Sequence, residues 1–116
     1  MRTLLLLSAF VFSHVTAADT LTTENYIVEV ESRCAEGSVS CNDVHYTGVS
    51  KVSGNRINLE GKTWHTKCAD GVTPCRFLGY RFENGNTTYI VLESGVLRVV
   101  QGKDRVLVDE KGTWSY

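Results

Sequence analysis

The chain has 116 residues, 42% of them hydrophobic and 22% charged, with twelve Lys or Arg against thirteen Asp or Glu and a formal charge of −1. That size holds one small domain and excludes a multidomain machine. The even charge balance lacks the basic footprint needed to hold a phosphate backbone, so nucleic acid is not an expected partner.

The amino-terminal segment reads as an export signal. Met1-Arg2-Thr3 is a short basic head, Leu4 to Phe12 is an apolar run, and Val15-Thr16-Ala17-Ala18 offers the small residues a signal peptidase reads. The run is far shorter than the roughly 20 residues of a spanning helix, and no later stretch is apolar for that long, so membrane insertion is not expected. The chain therefore divides into a signal peptide, residues 1–18, and a single domain, residues 19–116. Loss of Arg2 leaves a mild acidic excess, and the expected address is the periplasm or the exterior.

Tyr26, Val28 and Val30 alternate with Ile27, Glu29 and Glu31, which predicts a strand over Asn25 to Arg33 with one wetter face. A second strand is expected over Val44 to Val52. The turn Ser53-Gly54-Asn55 leads into Arg56 to Glu60, and Gly61 separates that strand from Lys62 to Lys67. Arg76 to Glu83 is read with Phe77 on one face and Leu78, Tyr80 and Phe82 on the other. Asn84-Gly85 is the strongest hairpin signal, a type I′ turn with positive φ at both residues. Thr87 to Glu93, Val96 to Gln101, Arg105 to Asp109 and Thr113 to Tyr116 follow, divided at Ser94-Gly95, Gly102-Lys103 and Lys111-Gly112. The expected fold is all-β, an antiparallel meander of about eight strands closed into a small barrel, with a β-sandwich as the alternative.

Four cysteines, Cys34, Cys41, Cys68 and Cys75, lie in the exported part and read as disulfides. Two C-x6-C spacings with only His45 and His65 beside them do not make a zinc knuckle, so no metal or other cofactor is expected. An internal echo bears on the pairing. Shifting the chain by 34 residues lays Arg33-Cys34-Ala35-Glu36-Gly37 on Lys67-Cys68-Ala69-Asp70-Gly71, Cys41 on Cys75 and Tyr46 on Tyr80. Two copies of one stapled turn favour Cys34 with Cys41 and Cys68 with Cys75, although the crossed pairing of Cys34 with Cys68 and Cys41 with Cys75 remains open at this level.

A hydrolase needs a nucleophile beside an oriented base, and the sequence carries no Gly-x-Ser-x-Gly elbow. His45 and His65 read as structural, and the acidic residues cluster on turns, so no catalytic residue is assigned and the protein is not expected to be an enzyme. A loop closed by a disulfide forfeits less entropy on docking. The loop Ala69 to Pro74 is therefore the candidate binding edge, with Asp70, Thr73 and Arg76 as polar contacts and Trp64, Tyr80 and Arg81 as anchors. Asn86-Thr87-Thr88 matches a glycosylation acceptor and bears on function only in a eukaryotic source.

The export signal, the short mature chain and the segments Phe82-Glu83-Asn84-Gly85, Tyr89-Ile90-Val91, Leu97 and Val106 to Glu110 together resemble the small periplasmic lysozyme inhibitors of Gram-negative bacteria and the periplasmic immunity proteins. The Ser-Ala-Ser-Gly segment that marks inhibitors of C-type lysozymes is absent, so none of that family's inhibitory residues is carried over. The resemblance implies a protein partner, a peptidoglycan hydrolase whose cleft is blocked by a loop or strand end. The alternative expectation is an envelope module that binds a small molecule or glycan, with Trp64, Trp114 and the tyrosines lining the site.

Overall fold

The computed structural model describes residues 18–116. The bulk of the expected signal peptide, residues 1–17, lies outside the described residues. Eight strands follow in chain order: β1 (Ala18–Thr23), β2 (Tyr26–Ser32), β3 (Val44–Ser50), β4 (Arg56–Lys67), β5 (Pro74–Asn84), β6 (Thr87–Leu92), β7 (Val96–Gln101) and β8 (Arg105–Ser115). Each pairs antiparallel with its neighbours, and β8 returns to β1, so the sheet closes into a barrel with every strand flanked by two others. Closure removes the sticky edge that a small open sheet would present. The described residues contain no helix, and hence none that is long and apolar enough to cross a membrane.

Period-two alternation builds the core. Leu21, Val28, Val30, Val44, Tyr46, Phe82, Val91, Leu97 and Val99 point inward and are buried. Cross-strand partners match on this face: Leu21 opposes Val28, Val30 opposes Tyr46, and Val91 opposes Leu97. Tyr46 stands at the centre of an aromatic cluster, its ring 5.1 Å from Phe82 and 5.5 Å from Tyr89. These tilted and edge-on arrangements are the favoured ones for π systems.

Five points of the sequence reading are corrected here. The strand β1 was not anticipated; its segment ADTLTT carries a single large apolar residue, Leu21, but barrel closure asks only for Leu21 and Thr23 to face in, and both are buried. Gly61 does not end a strand, and neither does Gly112. β4 runs through Gly61, pairing with β3 up to that residue and with β5 from it onward. β8 does the same, pairing with β7 up to Lys111 and with β1 from Gly112. These glycines mark where a coiled strand changes partners at a barrel corner, not where it turns back.

The faces of β5 also differ from expectation. Trp64 opposes Gly79 whereas His65 opposes Phe77, so Leu78 is an extra residue, a β-bulge. The bulge resets the alternation and brings Phe77 edge-on to Tyr80, at 5.2 Å. Finally, the β5–β6 hairpin pairs Asn84 with Thr87, so its two central residues are Gly85 and Asn86. Only Gly85, at φ 62°, takes a positive value, which is the type II′ pattern instead of type I′.

The meander gives the barrel two unlike ends. At one, which we call the turn end, lie the short β1–β2, β3–β4, β5–β6 and β7–β8 connections. At the other, the disulfide end, lie the β2–β3 and β4–β5 loops, closed by Cys34–Cys41 and Cys68–Cys75. This is the local pairing, which fits an oxidising, extracytoplasmic setting. The Cys34 and Cys41 Cα atoms are 5.8 Å apart, and Cys41 is buried in the core while Cys34 packs against it.

Candidate functional site

Beyond Gly61, β4 has no partner strand on its β3 side; only Thr63 is anchored there, its N–H donating to the Cys41 carbonyl at 2.8 Å. β5 before Leu78 likewise lacks a strand on its β6 side, since β6 ends at Leu92 opposite Gly79. The paired segments 62–67 and 74–78 therefore leave the barrel as a two-stranded ribbon. A second register shift between His65 and Lys67 adds to its coil, and the Arg76 N–H is held by the Thr66 hydroxyl at 2.9 Å.

The ribbon tip is Cys68 to Thr73. Its geometry is made by Asp70, whose carboxylate accepts hydrogen bonds from the N–H groups of Val72, at 2.9 Å, and Thr73, at 2.8 Å, and from the Thr73 hydroxyl. These bonds, the Thr73 hydroxyl first, pull the Asp70 carboxyl down to about 2. Asp70 and Thr73 thus hold the tip in shape, together with the disulfide, and the Cys68 N–H donates to the Thr73 carbonyl across the ring.

The outer face of the ribbon and the adjoining barrel wall forms an open groove of about 720 Å³. Trp64 lies half-buried in it with the Arg81 guanidinium over its ring, 5.3 Å from the centroid. A cation held over an indole face keeps both groups flat and presented to the groove. Lys62 stands opposite Arg81, and Lys67 lies further along the same floor. Between Lys62 and Arg81 the chain carries four basic residues, Lys62, Lys67, Arg76 and Arg81, against the single acid Asp70. Glu60 and Glu83 also line the groove, so the basic excess belongs to the ribbon itself and not to the whole groove.

Of the six candidate binding residues, the structure brings Trp64 and Arg81 into contact, joins Asp70 to Thr73 at the tip, and leaves the Arg76 side chain exposed along the ribbon. Tyr80 is elsewhere. It faces inward opposite Val91, beside Phe77 and Phe82, on the far side of β5 from Arg81. Nor does Trp114 share a site with Trp64, because its indole N–H donates to the carbonyls of Leu92 and Glu93 and its ring stacks on Tyr116. His65 borders the groove with its ring against Phe77, whereas His45 sits between Asp43, at 3.3 Å, and Glu60, at 3.6 Å. Lys62 was not singled out from the sequence; its position two residues before Trp64, on the same strand face, was the available signal.

At the turn end, a polar knot closes the seam between β8 and β1. The Glu110 carboxylate accepts from the Thr23 hydroxyl at 2.8 Å and from the Asn25 N–H and side-chain amide at 3.1 and 2.9 Å, while Lys51 Nζ donates to the Thr23 carbonyl at 2.7 Å. Partial burial pushes the Glu110 carboxyl up, but the bonds from Asn25 and Thr23 and the nearby Lys51 outweigh it and leave the group below its ordinary value. A depressed carboxylate stabilises the fold above its unfolded value and loses that contribution as pH falls through the folded one. Acid denaturation of wild type is therefore expected to steepen below about pH 4.5, the ordinary glutamate value. Glu110→Gln is expected to cost about 1–3 kcal/mol at pH 7 in urea titrations and to flatten that acid limb.

No protein-family model matches the chain, and neither a curated protein nor a solved structure matches it.

Proposed function

We propose that the mature chain is an exported, non-enzymatic barrel that binds a cell-wall hydrolase and blocks it, acting as a lysozyme inhibitor or an immunity protein. One observation carries the reading: a stapled two-stranded ribbon leaves the barrel wall and bears the Trp64–Arg81 pair and a local excess of basic residues. A ribbon pre-ordered by a disulfide and an Asp70-centred turn suits insertion into a cleft, because little entropy is left to lose.

The charge points to the kind of cleft. Glycoside hydrolases of the lysozyme class carry two carboxylates flanking the scissile bond, so their clefts are acidic. A ribbon with Lys62, Lys67, Arg76 and Arg81 is complementary to that field, and the half-buried Trp64 supplies a flat aromatic anchor of the kind found at interface hot spots.

The test is inhibition of a panel of lysozymes and amidases by the purified mature protein, followed by isothermal titration. Inhibition with one-to-one stoichiometry is expected for a lysozyme-class enzyme. Trp64→Ala should raise the inhibition constant about 10- to 100-fold. Arg81→Gln should raise it about tenfold, and raising the salt should weaken binding of wild type more than of Arg81→Gln. Absence of binding to every enzyme of the panel would overturn the proposal.

A further inference from the structure

At the turn end the barrel is not filled. A mouth cavity of about 400 Å³ opens there between the ends of β2, β3, β4, β7 and β8. That volume is within the range of small-ligand sites. Its walls are mixed, with Ile57, Val99 and Leu107 among the apolar residues and Ser50, Ser53 and Asn55 among the polar ones. Leu107 reaches the cavity beside its chain neighbour Val108 because of a bulge: Val99 opposes Val108 while Val100 opposes Val106, so Leu107 is the extra residue. Bulges at barrel rims commonly re-aim a side chain in this way.

Three phenols, Tyr26, Tyr46 and Tyr89, also line the cavity. Tyr46 is only 2% exposed, yet no hydrogen bond found among the described residues engages its hydroxyl. No described buried polar side-chain atom is both sealed from solvent and unpartnered, so the Tyr46 hydroxyl opens into the cavity. Gly48 makes room for it, since a Cβ there would come within 2.7 Å of that hydroxyl. Burial first, and then the Tyr89 and Tyr26 phenols, hold the Tyr46 hydroxyl far above its ordinary value, so it stays a neutral donor. A donor that has no protein acceptor and faces the cavity is free to bond an acceptor on a ligand there.

We propose that this mouth binds a small planar aromatic anion. Tyr26 and Tyr89 are half-buried in the lining, so a flat ring entering the mouth finds aromatic surface to pack on. Arg56 is the one charged residue lining the mouth, and it is exposed at the rim. It therefore selects an anionic substituent at the entrance while the Tyr46 hydroxyl donates to an acceptor on the ring system. The site is separate from the ribbon, which leaves the barrel at its opposite end.

Titration of the mature protein with 8-anilinonaphthalene-1-sulfonate, read by fluorescence and by amide chemical shifts, tests the proposal. Saturable one-to-one binding is expected, with shifts confined to the ends of β3, β4, β7 and β8 around the mouth. Tyr46→Phe keeps the ring and removes only the donor; it and Arg56→Gln should each weaken the probe about five- to tenfold with an otherwise unchanged amide spectrum. The neutral analogue N-phenyl-1-naphthylamine should bind about tenfold more weakly than the sulfonate and be indifferent to Arg56→Gln. Trp64→Ala should leave all of these values unchanged, which separates this site from the ribbon. Absence of saturable binding, shifts centred on Trp64, or full affinity in both mouth variants would overturn the proposal.

Discussion

Gly61→Val is expected to abolish folding, although valine is among the best strand formers and position 61 lies within a strand. A Cβ built on Gly61 runs into the Arg81 carbonyl and the Phe82 ring, and Phe82 is the largest fully buried side chain. Neither can yield. The Arg81 carbonyl belongs to the β4–β5 ladder, and Phe82 packs on Tyr46 and Tyr80. Overpacking a core costs about 1–3 kcal/mol when side chains can shift, and more when backbone is the obstacle. We expect at least about 3 kcal/mol for Gly61→Ala and an insoluble or molten product for Gly61→Val, because a domain of this size holds roughly 5–10 kcal/mol in all. Gly37→Ala is the control. A Cβ there meets nothing within 4 Å, but φ is 89°, so only the left-handed backbone penalty of about 1 kcal/mol applies. Circular dichroism melts of the two alanine variants decide the matter; a Gly61→Ala protein melting within a few degrees of wild type would refute the corner packing described here.

The same glycines explain how far the fold was legible. β2, whose apolar residues alternate, and β6 and β7, which the turns at Gly85, Gly95 and Gly102 bracket, lie within two residues of where the sequence placed them. Gly61 and Gly112 were misread because a glycine at a turn and a glycine at a barrel corner look alike in one dimension. What separates them is the neighbour that fills the missing Cβ's place, the Arg81 and Thr22 carbonyls respectively, and both lie far away in sequence. Leu78 misled for a related reason: an apolar residue next to Phe77 gives no local sign that it is an extra residue whose insertion flips the face of everything before it.

The candidate site was half legible. Two short cysteine rings with matching flanks favoured the local pairing over the crossed one, and the local pairing is the one formed. Asp70 and Thr73 were chosen as contacts because they are polar residues on a stapled loop, and they prove to be tied to each other. Polar side chains on a six-residue loop are more often needed to satisfy its backbone than free to greet a partner. The mouth could not be read at all, because Tyr46, Tyr89 and Arg56 come together only through barrel closure and the bulge at Leu107.

Removing the first disulfide by Cys34→Ser with Cys41→Ser is expected to destabilise the domain by about 3–5 kcal/mol, whereas removing the second by Cys68→Ser with Cys75→Ser should cost about 2 kcal/mol or less. The loop-closure model alone assigns both rings the same value of about 2.5 kcal/mol, since both span a sequence separation of 7. Their surroundings break the tie. Cys41 is 4% exposed within the core cluster, its N–H donates to the Thr63 hydroxyl at 2.9 Å, and its carbonyl accepts from the Thr63 N–H. Losing that ring therefore opens the core lid over β4 as well as freeing the unfolded chain, and each serine hydroxyl left in the apolar site adds a desolvation cost. The second ring closes an exposed ribbon tip that can open without unfolding the barrel, so part of its entropic contribution is lost to local opening. Function should follow the reverse order. With its ring cut, the tip disorders, and inhibition of a target hydrolase should weaken at least tenfold in the Cys68 and Cys75 double variant even though its melting temperature changes little. Guanidinium titrations and inhibition assays on the two double variants read both effects, and equal losses of stability with no difference in inhibition would remove the distinction between a core staple and a recognition staple.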